Sequence, residues 1–315
     1  METRITSLYG KIKIRIKTLL IFIFIFFQCG KAWTEFPLEI QAPKHRAMGV
    51  KFCREWIPQI GQEIEELFHL PSPPKIQVIL ADNPQEFESH AIYYGRTKGP
   101  SWALALAYPS LDVILIKAYK INIFGNSLLS TLRHEIMHIY LRPVQEKGLP
   151  RFLNEGLATW FAQPILPWET EQIIQKKYYT RGLIPFEKLI INFPQHSQKA
   201  SLAYMESHHF VHFLVNQYGV KKLQELLFKI EEGFNLESAL KRSYGKGLKK
   251  LEQEWLFSLK TPFSLFYFWL DEMNFFALLG LILVLGVMLQ KWRNRKILKK
   301  WEEEDFPFSD SDYRF

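Results

Sequence analysis

Two histidines four residues apart, His134 and His138, constrain this chain more than any other feature; Glu135 adjoins the first, and Glu155 follows the second by seventeen residues. Side chains at i and i+4 lie one turn apart on one helix face, so a helix here lets both imidazoles reach a single metal ion. Glu155 adds a carboxylate at a distance suited to a second helix packed against the first. Two imidazoles, one carboxylate and an open fourth position make a catalytic rather than a structural zinc set, although the same donors accept other first-row metals. Glu135 is placed to act as a base on a water held at such a site.

The flanking residues supply the helices that this reading needs. Asn126 or Ser127 can cap a helix whose apolar stripe is Leu128, Leu132, Ile136 and Ile139 or Tyr140. Arg142-Pro143 is expected to stop it, and Gly148-Leu149-Pro150 to open the next helix. Upstream, residues 33 to 72 read as an extended lead and a helix with Cys53, Trp56, Ile57, Ile60, Ile64, Leu67 and Phe68 near helical spacing. Lys75 to Leu80 alternates like a strand, and two further strands are expected after Gly99-Pro100. The fold class expected is α+β: a small N-terminal sheet beside the site helix, then a helical part through Ser258. An edge strand of that sheet could pair with an extended peptide.

Around these residues the chain resembles the bacterial peptidase MA-like proteins, gluzincin metallopeptidases with the His-Glu-x-x-His…Glu pattern. The likeness spans about residues 75 to 258. Ser101 to Tyr108 and Asp112 to Lys117 are similar to the paired strands before that family's site helix; Ala203 to Leu214 and Val215 to Gly219 resemble its following helix. Ala239-Leu240, Tyr244-Gly245 and Leu251 to Trp255 fit its C-terminal helical part. The resemblance implies His134, His138 and Glu155 as zinc ligands and Glu135 as general base and proton shuttle. It also implies a Tyr or His that steadies the oxyanion: Tyr204, with His208 on the same face as the substitute. Relatives often carry an acid four residues after the glutamate ligand, where it orients an imidazole; here that position is Thr159, a weaker partner.

The ends of the chain suggest export. Arg4, Lys11, Lys13, Arg15 and Lys17 precede an apolar run from Leu19 to Phe27, so residues 1 to 32 read as a signal peptide, or alternatively a signal anchor. Residues 273 to 292 read as a transmembrane helix, followed by a basic stretch and a tail over 293 to 315; the positive-inside bias puts that tail in the cytoplasm. The aromatic segment 261 to 270 is expected to form an interfacial belt, and the acidic end of the tail to be disordered. The domain over residues 33 to 260 is thus expected on the periplasmic side of a bacterial inner membrane.

The formal charge of +8 divides into +5 for residues 1 to 32, +1 for residues 290 to 315 and only +2 between them. The charge therefore follows membrane topology, and nucleic acid is not an expected partner. Of two cysteines, Cys29 falls in the signal and Cys53 reads as a small buried residue, so the exported domain must stand without disulfides.

The expected activity is hydrolysis of peptide bonds in a peptide or protein substrate, with one Zn²⁺ per chain. The alternatives are a catalytically weak or inactive domain that binds a partner in the envelope, and a small-molecule hydrolase on the same metal site.

Overall fold

The computed structural model describes residues 37–99, 102–121, 126–191, 193–194, 197–260 and 275–304. It divides into two compact units, Met1–Leu259 and Lys260–Phe315. The expected signal over residues 1 to 32, the aromatic segment 261 to 270 and the end of the tail lie outside the described residues.

The first unit opens with four strands: β1 (Leu38–Gln41), β2 (Ile76–Ala81), β3 (Ala105–Tyr108) and β4 (Val113–Lys117). They lie in the order β1-β2-β4-β3, with β1, β2 and β4 parallel and β3 antiparallel to β4 at one edge. The register pairs Ala105 with Ile116 and Tyr108 with Val113. Strand periodicity sends alternate side chains to opposite faces. Ile76, Val78, Leu80, Ile114 and Ile116 enter the main core, while Ile79, Ala81, Val113 and Leu115 form a second cluster behind the sheet.

Helix α1 (Ala47–Phe68) lies on the main-core face, burying Cys53, Ile57, Ile60, Ile64 and Phe68 along one stripe. Helix α2 (Pro84–Gly95) covers the other face through Phe87 and Ala91. This helix was not anticipated from hydrophobic periodicity, because it buries only those two apolar residues. Its start is nonetheless encoded, by Pro84 at the first turn and an Asn83 side chain that accepts from the Glu86 amide.

Helix α3 (Asn126–Tyr140) carries the histidine pair and packs on the sheet and on α1. Leu128, Leu132, Ile136 and Ile139 are all buried, as their spacing predicts. The Asn126 and Ser127 side chains, the expected caps, lie outside the described residues. Pro143 does not end helical structure outright: a short helix α4 (Arg142–Glu146) starts immediately, with Pro143 in its first turn, where no donor is needed. Gly148, at φ +107, then makes the turn into α5 (Arg151–Ala162), with Pro150 as its N-cap residue.

The remainder is helical, as expected: α6 (Trp168–Tyr179), α7 (Phe186–Ile191), α8 (Ser197–Tyr218), α9 (Val220–Glu231), α10 (Leu236–Tyr244) and α11 (Leu248–Ser258). The tightest junction joins α5 to α8. A Cβ placed on Gly156 would stand 2.5 Å from the Ser207 carbonyl oxygen, so glycine here sets how closely the two backbones approach.

The second unit contains α12 (Phe275–Glu304). No helix among the described residues is long and apolar enough to cross a membrane, so the expected transmembrane helix at 273 to 292 is not shown. Within α12 the apolar stretch Leu279 to Leu289 is followed closely by Lys291, Arg293, Arg295 and Lys296.

Candidate metal centre

Helix periodicity puts His134 and His138 on one face of α3, and α5, packed against α3, brings Glu155 to them. The three side chains form a cluster able to hold a metal ion. Their donor atoms make a near-regular triangle: His134 Nε2 to His138 Nε2 is 3.1 Å, His138 Nε2 to Glu155 Oε2 is 3.4 Å, and His134 Nε2 to Glu155 Oε2 is 3.6 Å. A point equidistant from three atoms so placed lies about 2 Å from each, the length of zinc bonds to nitrogen and oxygen. The donor set therefore fits a first-row divalent cation.

The electrostatics point the same way. Burial opposes a charge on His138, yet the neighbouring Glu155 outweighs it and lifts the imidazole to about 9. Burial would raise Glu155, but His138 and His134 hold it well below the ordinary carboxylate value. A pocket that stabilises a histidinium and a carboxylate together is one that favours added positive charge, whether a proton or a metal cation. Glu135 behaves differently. Burial raises its carboxyl, with the two histidines offsetting part of the effect and Glu155 adding to it.

Several supporting residues were not foreseen. Asn154 Oδ1 accepts from His138 Nδ1 at 2.7 Å, which fixes that ring's proton on Nδ1 and leaves Nε2 for a metal. The orienting partner of His138 is therefore Asn154. Asn154 is a polar residue inside the run Phe152 to Ala158, all buried once the helices pack, and such a residue must find a partner. Arg133, next to His134, grips Glu63 of α1 with both terminal nitrogens at 2.6 and 2.8 Å and donates to the Phe161 carbonyl at the end of α5. It ties both helices that carry the candidate ligands to α1. These partners are 70 and 28 residues away, beyond the reach of local pattern.

Glu155 is held by both oxygens. Oε2 faces the imidazoles, while Oε1 accepts from the Tyr204 hydroxyl at 3.2 Å and from Arg151 Nε at 3.3 Å. Tyr204 thus reaches the site from α8. His208, one turn on, does not point the same way: it is buried and donates from Nε2 to the Gln163 carbonyl just past α5 at 3.1 Å. Burial pushes its imidazole down to about 4, so it sits there neutral. On the other flank, the Ala107 amide of edge strand β3 donates to Glu135. Cys53 is far from this chemistry in kind: it is fully buried, free, and pushed up to about 12.

Comparison with curated proteins finds no match. The family model described as the Peptidase MA superfamily matches residues 69–261, a span that covers every strand and helix bearing the site residues. With more than half of its length matched, and with the histidine pair and glutamate drawn together inside that span, the chain belongs to the Peptidase MA superfamily.

Proposed function

We infer that the chain is a gluzincin-type zinc metallopeptidase that hydrolyses peptide bonds. The observation that carries this reading is the convergence of the His134, His138 and Glu155 donor atoms within 3.6 Å of one another. Bound there, zinc supplies a Lewis acid that activates water and polarises a carbonyl. Glu135, whose carboxyl burial raises, is suited to take a proton from water and return it to the leaving amine. Asn154 keeps His138 in the tautomer that presents Nε2. Tyr204, its hydroxyl already at the edge of the cluster, is the residue we assign to the oxyanion. His208 spends its Nε2 on the Gln163 carbonyl and is better suited to holding α5 against α8. Strand β3 offers an edge along which an extended substrate can be held.

Export and anchoring belong to the same proposal. Their support is the basic, then apolar N-terminal segment and the uncharged run Phe275 to Leu289, preceded by Asp271 and Glu272 and followed by basic residues. Within α12, every large apolar side chain from Leu279 to Leu289 is exposed, a pattern at home in lipid rather than water.

The Glu135→Gln variant tests the mechanism. It is expected to keep its metal and to lose about 10²- to 10⁴-fold in peptide cleavage. Retention of metal together with undiminished cleavage would overturn the role given to Glu135.

A further inference from the structure

Arg151 opens α5 four residues before Glu155, so its side chain folds back over the same face as that ligand. Its Nε donates to Glu155 Oε1, its guanidinium lies 5.0 Å from the Phe193 ring centre, and it hydrogen-bonds with Tyr204. Arg133 provides an instructive contrast. There the side chain is only 14% exposed and both terminal nitrogens are spent on Glu63. The Arg151 side chain is 48% exposed, and among the described residues its one carboxylate partner is Glu155, met through Nε. A guanidinium matches a carboxylate through two parallel donors, and that pairing is left unused here.

The surroundings suit an organic anion. Tyr204 stacks edge-on with both Phe193, at 5.1 Å, and Trp102, at 5.7 Å. Trp102 is half exposed and stands three residues before edge strand β3. Aromatic walls and a half-free guanidinium thus lie together beside the metal cluster. Glu155 is already engaged by His134, His138 and Arg151, and the terminal nitrogens of Arg151 can offer an approaching anion two parallel donors.

We propose that Arg151 is the specificity-determining residue of the cleft, pairing its terminal nitrogens with a carboxylate of the substrate. That carboxylate is either the C-terminal α-carboxylate of a peptide or an Asp or Glu side chain near the scissile bond. The word substrate rests on the peptidase reading; the recognition of a carboxylate does not.

The test reads binding rather than cleavage. Full-length, zinc-loaded Glu135→Gln protein is titrated calorimetrically with an acetylated tetrapeptide in four forms: Gln or Glu at one position, each with a free or an amidated C-terminus. At least one carboxylate form is expected to bind about tenfold or more tightly than the Gln amide. The form that does so identifies the source of the carboxylate. Adding Arg151→Lys, which keeps a cation beside Glu155 but loses the two-pronged geometry, should leave the zinc in place and remove most of the discrimination. Equal affinity for all four peptides, absence of binding by any, or a preference that survives Arg151→Lys would overturn the assignment. Loss of zinc from the Arg151→Lys variant would overturn it too, since Arg151 would then be a support for Glu155. Should carboxylate binding hold while Glu135-intact protein cleaves no peptide, only the peptidase reading falls.

Discussion

Glu155 on α5 and Glu206 on α8 are both buried carboxyl groups on two helices that pack against each other, and their environments drive them in opposite directions. Glu155 lies between two imidazoles and also accepts from Tyr204 and Arg151, so it stays ionised well below its ordinary value. Glu206 accepts one backbone N–H, from Ile184 at 2.9 Å, while its Oε2 has no hydrogen-bond partner among the described residues. Burial, with Glu252 nearby, pushes it up to about 8. Burial is common to the two, so the neighbours decide. Where cationic or metal-ligating groups converge, a buried carboxylate becomes a cation site; where they do not, it takes a proton and serves the packing.

The largest expected effect would break the comparison if it failed. Glu155→Ala should lower zinc affinity by more than the roughly 10- to 100-fold typical of losing a supporting hydrogen bond. Glu206→Ala should leave zinc affinity within about twofold, since its contacts are to the Ile184 amide and not to a donor of the cluster. Equal losses in competitive chelator titrations of the two variants would erase the distinction drawn here.

Next in size, Arg133→Ala strands Glu63, whose side chain is only 14% exposed, and removes the tie among α1, α3 and α5. A loss of about 3–5 kcal/mol in denaturant unfolding is expected for breaking a buried pair by removing one partner. A loss below about 1 kcal/mol would show that the pair is dispensable.

Asn154→Ala removes the acceptor from His138 Nδ1 and should weaken zinc binding by about 10- to 100-fold, with Thr159→Ala having less effect. The reverse ranking would return the orienting role to Thr159.

The smallest effect concerns pH. Folded Glu206 keeps its proton up to about 8, whereas an unfolded glutamate releases it near the ordinary 4.5. Between those values the folded state binds the extra proton, so this group makes stability fall as pH rises through that window. Glu206→Gln escapes that loss. Its stability relative to the parent should climb steadily from pH 5 to pH 8 and then level off. A constant difference across that range would mean that Glu206 is ionised in the folded state.

What the sequence revealed of this contrast follows from the range of each interaction. His134, Glu135 and His138 were legible because helix geometry alone puts i and i+4 together, and Glu155 because its helix could be seen starting at Gly148-Leu149-Pro150. Strand β2 showed its alternation, and β3 and β4 were expected from the resemblance to paired strands before the site helix. Asn154, Arg133 and Arg151 stayed hidden because their roles depend on which helices meet. Glu206 gave no sign at all, since a glutamate on an amphipathic helix reads as solvated until its neighbours are known. Helix α2 was missed for want of an apolar stripe; α3 ends at Tyr140, just before Arg142-Pro143 as expected, and the short helix that follows was not foreseen.

The most direct test is the metal content of the purified full-length chain after zinc is offered, measured beside Glu155→Ala. About one zinc per chain in the parent, lost in the variant, is the predicted result for a His₂Glu site. A parent chain that takes up no zinc would contradict the metal centre and, with it, the peptidase reading.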